Sequence, residues 1–129
     1  MSIPPIDAEL RERIYLVVAQ IPRGMATAYG DVAAIVGGGC DGRMVGRALS
    51  ELPAGRSTVA PWQRVINREG SISTAGLEQR RLLEGITFGA DGRLSWARCR
   101  WPGPDAAWAA AIGCQVLPPR EDVEQLSLF

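Results

Sequence analysis

Apolar residues recur at helical spacing three times in the first fifty or so positions. Leu10, Ile14, Val17, Val18 and Ile21 form one stripe, with Arg11, Arg13 and Gln20 left outside it and Asp7 standing where an N-cap belongs. Pro22-Arg23-Gly24 breaks that helix, and Thr27 opens a second, shorter one through Tyr29, Val32, Ala33, Ile35 and Val36, closed by Gly37-Gly38-Gly39. Asp41 can cap a third, from Gly42 to about Leu52. On it Val45, Ala48, Leu49 and Leu52 face inward, while Arg43, Arg47 and Ser50 lie at i, i+4, i+7 on the outer side. Two short helices joined by a tight glycine turn outline a helix-turn-helix. The outer face can lie against DNA, and it can equally be the solvated arginine face of any amphipathic helix.

Pro53 ends the third helix, and the polar loop AGRSTVA leads to Pro61-Trp62-Gln63-Arg64-Val65-Ile66-Asn67. Arg64 to Asn67 and Ser71 to Ser73 read as a short hairpin around Glu69-Gly70. Leu77 to Glu84 is again helical, with Gly85 as its stop, and Asp91-Gly92 turns a second small extended pair. Ser95 to Trp101 closes the body. Pro102, Pro104, Pro118 and Pro119 then argue against an ordered continuation, although Asp105 to Ile112 can form a brief helix. The expected fold is mainly α with a small β hairpin. Residues 1–101 are expected to form the helix-turn-helix body, and residues 102–129 a Pro/Ala-rich extension.

Composition narrows the chemistry. A length of 129 residues allows one domain, and 47% hydrophobic residues let it bury a core. No stretch approaches the roughly 18 apolar residues of a membrane span. The opening MSIPPIDAELRER lacks the basic-then-apolar order of a signal peptide, so a cytoplasmic, nucleoid-associated protein is expected. Cys40, Cys99 and Cys114 are widely spaced with no CxxC pair, which supports neither a disulfide framework nor a thiolate zinc site. Histidine is absent, so imidazole bases and His-ligated metals are excluded. The formal charge of zero divides unevenly. Residues 20–101 hold eleven arginines against seven acids, whereas residues 102–129 hold one against four. All 14 basic residues are arginines, which high-GC codon usage alone would produce. Arginine is also the better residue for phosphate forks and for standing in a base stack.

The order Thr27-Ala28-Tyr29-Gly30-Asp31-Val32-Ala33, then Gly42-Arg43-Met44-Val45-Gly46, then Pro61-Trp62-Gln63-Arg64-Val65-Ile66-Asn67 resembles the C-terminal DNA-binding domain of O6-alkylguanine-DNA alkyltransferases. The active-site segment of that family is Pro-Cys-His-Arg-Val. Here Trp62 holds the cysteine position and Gln63 the histidine position. The match is closer to the alkyltransferase-like proteins, which carry tryptophan there and continue into segments like REGSIS, QRRLLEG, DGR and RCRW. It covers about residues 8–101 and implies that the domain of residues 1–101 is a winged helix-turn-helix DNA-binding domain. Departures are Gln63, the loss of the hinge asparagine around Leu52-Pro53, and Cys99 where the closing segment usually has tyrosine.

The resemblance implies a protein that recognises alkylated guanine in double-stranded DNA by base flipping and does not repair it. Chemistry points the same way, because dealkylation needs a soft thiolate made by a neighbouring base, and neither indole nor carboxamide supplies one. Read alone, Trp62 is as well a core tryptophan following a proline. By resemblance Tyr29, Leu49, Pro61, Trp62 and Val65 form the lesion pocket, Arg43 fills the gap left by the flipped base, and Tyr29 crowds the adjacent phosphate. Thr27, Gly30, Met44, Gly46, Arg47, Ser50 and Arg64 complete the expected DNA-binding set. No catalytic residue, metal or cofactor is implied, and a monomer is expected. Handover to nucleotide excision repair proteins follows from the resemblance alone.

Gln125-Leu126-Ser127-Leu128-Phe129 resembles the bacterial sliding-clamp-binding peptide, with three apolar anchors and an orienting glutamine. Those anchors can instead fold back onto the body as a strand. Rival functions are a winged-helix transcription regulator reading base edges with Arg43 and Arg47, an alkyltransferase using another cysteine, a carboxylate-dependent glycosylase, and a clamp adaptor indifferent to lesions.

Overall fold

The computed structural model describes residues 7–52, 60–71, 86, 88, 89 and 91–117. The helix expected over Leu77 to Glu84 and the motif Gln125 to Phe129 lie outside them. Helix α1, Ala8–Val18, starts as its sequence demands: the Asp7 carboxylate accepts the Leu10 N–H at 2.7 Å. It ends three residues before the apolar stripe does. Gln20 and Ile21 close tighter i→i+3 bonds to Val17 and Val18, and this still delivers Ile21 into the core.

Ala26 to Ala28 is extended and paired on both sides. On one side Ala26 exchanges backbone bonds with Cys99 and Trp101, and on the other Thr27–Ala28, strand β1, runs parallel to Val65–Ile66, strand β2. Two expectations are corrected here. Thr27 belongs to a strand, so helix α2 begins at Tyr29 and runs to Val36. The small sheet is also not the hairpin expected around Glu69-Gly70. Val65 and Ile66 find a buried partner in β1, whereas an isolated hairpin is marginal in water. Beyond them the chain turns at Asn67–Gly70. Gly70 has φ +75°, the Asn67 carboxamide oxygen accepts the Ser71 N–H at 3.0 Å, and Ser71 bridges antiparallel to Arg93. The extended pair around Asp91-Gly92 forms as expected, through the Phe88–Leu94 bridge.

Between α2 and helix α3, Gly42–Ser50, the residues Gly37, Gly38 and Gly39 all take positive φ, a backbone path that side chains resist. Asp41 caps α3 by accepting the Met44 N–H at 3.0 Å. Helices α1, α2 and α3 share one core of Ile14, Val17, Val18, Val32, Ile35, Val36, Val45 and Ala48, to which β2 adds Val65. The Tyr15 hydroxyl donates to the Ala48 carbonyl at 2.7 Å inside that core, fixing α3 against α1.

Helix α4 is the single turn Trp96–Cys99. Pro102 and Pro104 do not end the order. Asp105 caps helix α5, Ala106–Ile112, and the chain then ties to the end of α2 through a bond from the Gln115 N–H to the Ile35 carbonyl at 2.7 Å. Ala109 and Cys114 are buried, and Trp108, Ile112 and Leu117 pack on the main core. Among the described residues no helix is long and apolar enough to cross a membrane.

Candidate nucleic-acid interface

The α3 face divides as its periodicity predicts. Val45 and Ala48 are fully buried and Leu49 packs half-buried against the core, while Arg43, Arg47 and Ser50 are exposed. The arginines are not idle. Arg43 Nη2 binds Asp41 Oδ2 at 2.9 Å, and Arg47 Nε lies 3.6 Å from Glu51 Oε1, which also meets Arg11. The Ser50 hydroxyl donates to the Arg47 carbonyl at 2.7 Å. Asp41 thus serves two partners, with one oxygen on the helix N-terminus and the other on Arg43. The Arg43 hydrogen bond first, and the Met44 N–H next, hold its carboxyl below the ordinary aspartate pKa.

Tyr29, Asp41, Gly42, Arg43 and Gly46 line an open groove of about 500 Å³. Two glycines of α3 face Tyr29 along it. A Cβ on Gly42 would stand 3.4 Å from both the Gly30 nitrogen and the Tyr29 Cβ, and one on Gly46 would reach the Tyr29 ring at 3.9 Å. Gly42 and Gly46, one turn apart, thus mark where the start of α2 and the phenol pack on α3, closest at Gly42. Burial raises the Tyr29 pKa, so its hydroxyl remains a donor at neutral pH. Met44 is half-buried beside the groove, and Gly30 lies under the side chain of Arg68, whose Nη2 would be 3.0 Å from a Cβ there.

Trp62 opens a single 3-10 turn, Trp62–Arg64, after the buried Pro61. It is half-buried and joins neither apolar cluster of the described residues, unlike a tryptophan recruited to the core. Val65 beneath it is fully buried, so it holds the turn to the core and offers no surface of its own. Thr27 is corrected: at 0% exposure within β1 it has no surface for DNA, and its hydroxyl oxygen is buried without a partner. Arg64 turns inward, donating from Nη1 to the Ile21 carbonyl at 2.8 Å, which makes it an anchor of the Trp62 turn.

The arrangement brings Tyr29, Arg43 and Gly46 to one groove and leaves Trp62 outside its lining. A pair absent from the sequence reading sets the start of α2. Arg100 and Asp31, both nearly buried, form a short ion pair, and the Arg100 guanidinium lies 5.3 Å from the Trp96 ring centroid. A separation of 69 residues left no local signal for it. Burial raises the pKa of Cys40, Cys99 and Cys114, with the Asp41 charge adding to it at Cys40 and Arg13 partly opposing it at Cys114. No group of three or more metal-ligating side chains exists among the described residues.

Residues 9–85 match the model of the 6-O-methylguanine DNA methyltransferase DNA-binding domain family. The DNA base-flipping protein of Escherichia coli (strain K12) is 40% identical over 95 residues, 70% of this chain and 72% of that protein. The alkyltransferase-like protein 1 of Schizosaccharomyces pombe is 38% identical over 76 residues, 57% of this chain and 68% of its own length. The crystal structure of S. pombe Atl1 in complex with damaged DNA containing O6-carboxymethylguanine superposes with a TM-score of 0.63 at 30% identity. That similarity covers 75% of this chain and 98% of Atl1.

Proposed function

Because the chain belongs to the family of the 6-O-methylguanine DNA methyltransferase DNA-binding domain, we propose that it is a non-enzymatic sensor that flips O6-alkylguanine out of duplex DNA and marks it for another repair route. The reading is carried by the motif order, which by resemblance puts Trp62 at the alkyl-acceptor position. Trp62 stands there on a half-buried turn, Gln63 replaces the base, and the three thiols are all raised in pKa by burial. Similarity to a protein named for base flipping and to one solved on damaged DNA supports the same assignment.

In this mechanism α3 enters the groove of the duplex and Arg43 leaves Asp41 to occupy the space of the extruded base, a gap that a planar guanidinium can fill. Tyr29, bulky with a polar tip, crowds the neighbouring phosphate. Extrusion costs a few kcal/mol, and least for a damaged or mispaired base, so the lesion partly selects itself. The indole of Trp62 replaces some of the lost stacking and rests against the alkyl group. Nucleotide excision repair receives the marked site, and the segment Gln125 to Phe129 tethers the protein to the sliding clamp, raising its local concentration on replicated DNA.

Anisotropy titrations with matched duplexes, one carrying a single O6-methylguanine, test the pocket. Trp62→Ala should lower lesion affinity by about tenfold or more, the order of losing one base stack, and leave undamaged-duplex affinity nearly unchanged. Equal losses on both duplexes would remove Trp62 from the pocket.

A further inference from the structure

Arg68 opens the REGSIS segment, yet the flipping machinery described above gives it no role. It lies in the exposed Asn67–Gly70 turn, and that turn is built rigidly. The Trp96 indole N–H donates to the Arg68 carbonyl at 2.8 Å, and Asn67 and Ser71 close the turn behind it. The side chain extends over Gly30, which carries no Cβ, placing Nη2 beside the first turn of α2 and next to Tyr29 on the groove. Among the described residues this guanidinium makes no hydrogen bond or ion pair. Arg11, Arg43, Arg47 and Arg100 each hold a carboxylate. The fold does not reward the position either, since a cation over the start of a helix faces the positive end of its dipole.

A guanidinium that is exposed and without a partner among the described residues, on a braced turn beside the helix that carries the groove-lining Tyr29, has the chemistry of an oxyanion clamp. We propose that Arg68 binds a backbone phosphate of the DNA beside the start of α2, next along the chain from the groove-lining Tyr29. This rests on the reading that the groove receives DNA, but not on lesion recognition. Arg68 positions the duplex and carries no information about the base, so it contributes equally on damaged and undamaged DNA.

The test is the salt dependence of binding to an undamaged duplex and to the O6-methylguanine duplex, for wild type, Arg68→Ala, Arg68→Lys and Arg13→Ala. Arg13 is paired with Glu9 and lines a different groove, on α1 and α5, so its variant controls for net charge. Losing one phosphate contact lowers the slope of log K against log salt by about 0.9, so a fourfold rise in salt weakens wild type roughly threefold more than Arg68→Ala. Arg68→Lys should keep most of the slope, Arg13→Ala should match wild type, and the ratio between duplexes should not move. An unchanged slope in Arg68→Ala, or an equal fall in Arg13→Ala, would overturn the proposal. Equal binding of the two duplexes by wild type would instead refute lesion sensing while leaving the Arg68 slope to decide its own question.

Discussion

Replacing Arg100 by methionine asks whether the buried Arg100–Asp31 pair holds the start of α2 where Tyr29 needs it. Asp31 is 4% exposed, and the Arg100 side chain is 10% exposed, so solvent screens the pair little. Methionine keeps an apolar, polarisable stem against Trp96, which leaves the lost charge as the main change. Removing one partner of a buried pair costs about 3–5 kcal/mol, because the other charge remains buried. Arg100 Nε is already buried without a hydrogen bond, so the pair is imperfectly satisfied and the lower end, about 3 kcal/mol, applies. Against a typical total of about 5–15 kcal/mol this is a large share. With a urea m-value of about 1–3 kcal/mol/M, the midpoint should fall by roughly 1–3 M. Equilibrium urea unfolding followed by tryptophan fluorescence measures it. The double variant Asp31→Asn/Arg100→Met should recover most of the loss, since replacing both charges is often nearly neutral. A midpoint shift below about 0.3 M in Arg100→Met, or a double variant worse than the single, would refute the reasoning.

Three further outcomes are expected. Gly70→Ala should destabilise by about 1–3 kcal/mol in the same assay, since its φ of +75° and a Cβ 3.3 Å from Leu94 and Trp96 both oppose a side chain. The three thiols should label slowly with a disulfide reagent in the native protein at pH 7. Because their folded pKa values lie above the ordinary thiol value, their contribution to stability is complete below that value and is lost as pH rises through the folded ones. Fast labelling at pH 7 would contradict that burial. Deleting Gln125 to Phe129 should abolish binding to a purified sliding clamp and leave duplex affinity unchanged, whereas retained clamp binding would end the tether proposal.

What was legible in the sequence was local. Helix starts at Asp7, Asp41 and Asp105, the glycine turn at 37–39 and the two faces of α3 all depend on neighbours within a turn or two, and periodicity and capping report such neighbours directly. The misread strand at Thr27–Ala28 depends on Val65–Ile66, nearly forty residues on, and a two-residue strand carries no alternation of its own. A longer separation, 69 residues, hid the Arg100–Asp31 pair, and distance along the chain likewise hid the approach of Arg68 to Gly30. Prolines misled at 102 and 104, where they precede α5 while Gln115 and Leu117 secure the segment to the body. At the site, the motif order named Tyr29, Arg43 and Gly46, which line one groove, and Trp62, which stands outside that lining. It included Thr27 because adjacency in a motif does not reveal which residue of a buried strand has surface.

The central claim, recognition of an alkylated guanine without repair, is tested most directly by one titration. A duplex with and without a single O6-methylguanine is titrated at fixed salt, since phosphate affinity depends on it, and the recovered protein is weighed by mass spectrometry. Tighter binding to the lesion with unchanged protein mass is the predicted result. A gain of one methyl group would make the protein an alkyl acceptor and contradict the account, and equal binding to both duplexes would contradict it as well.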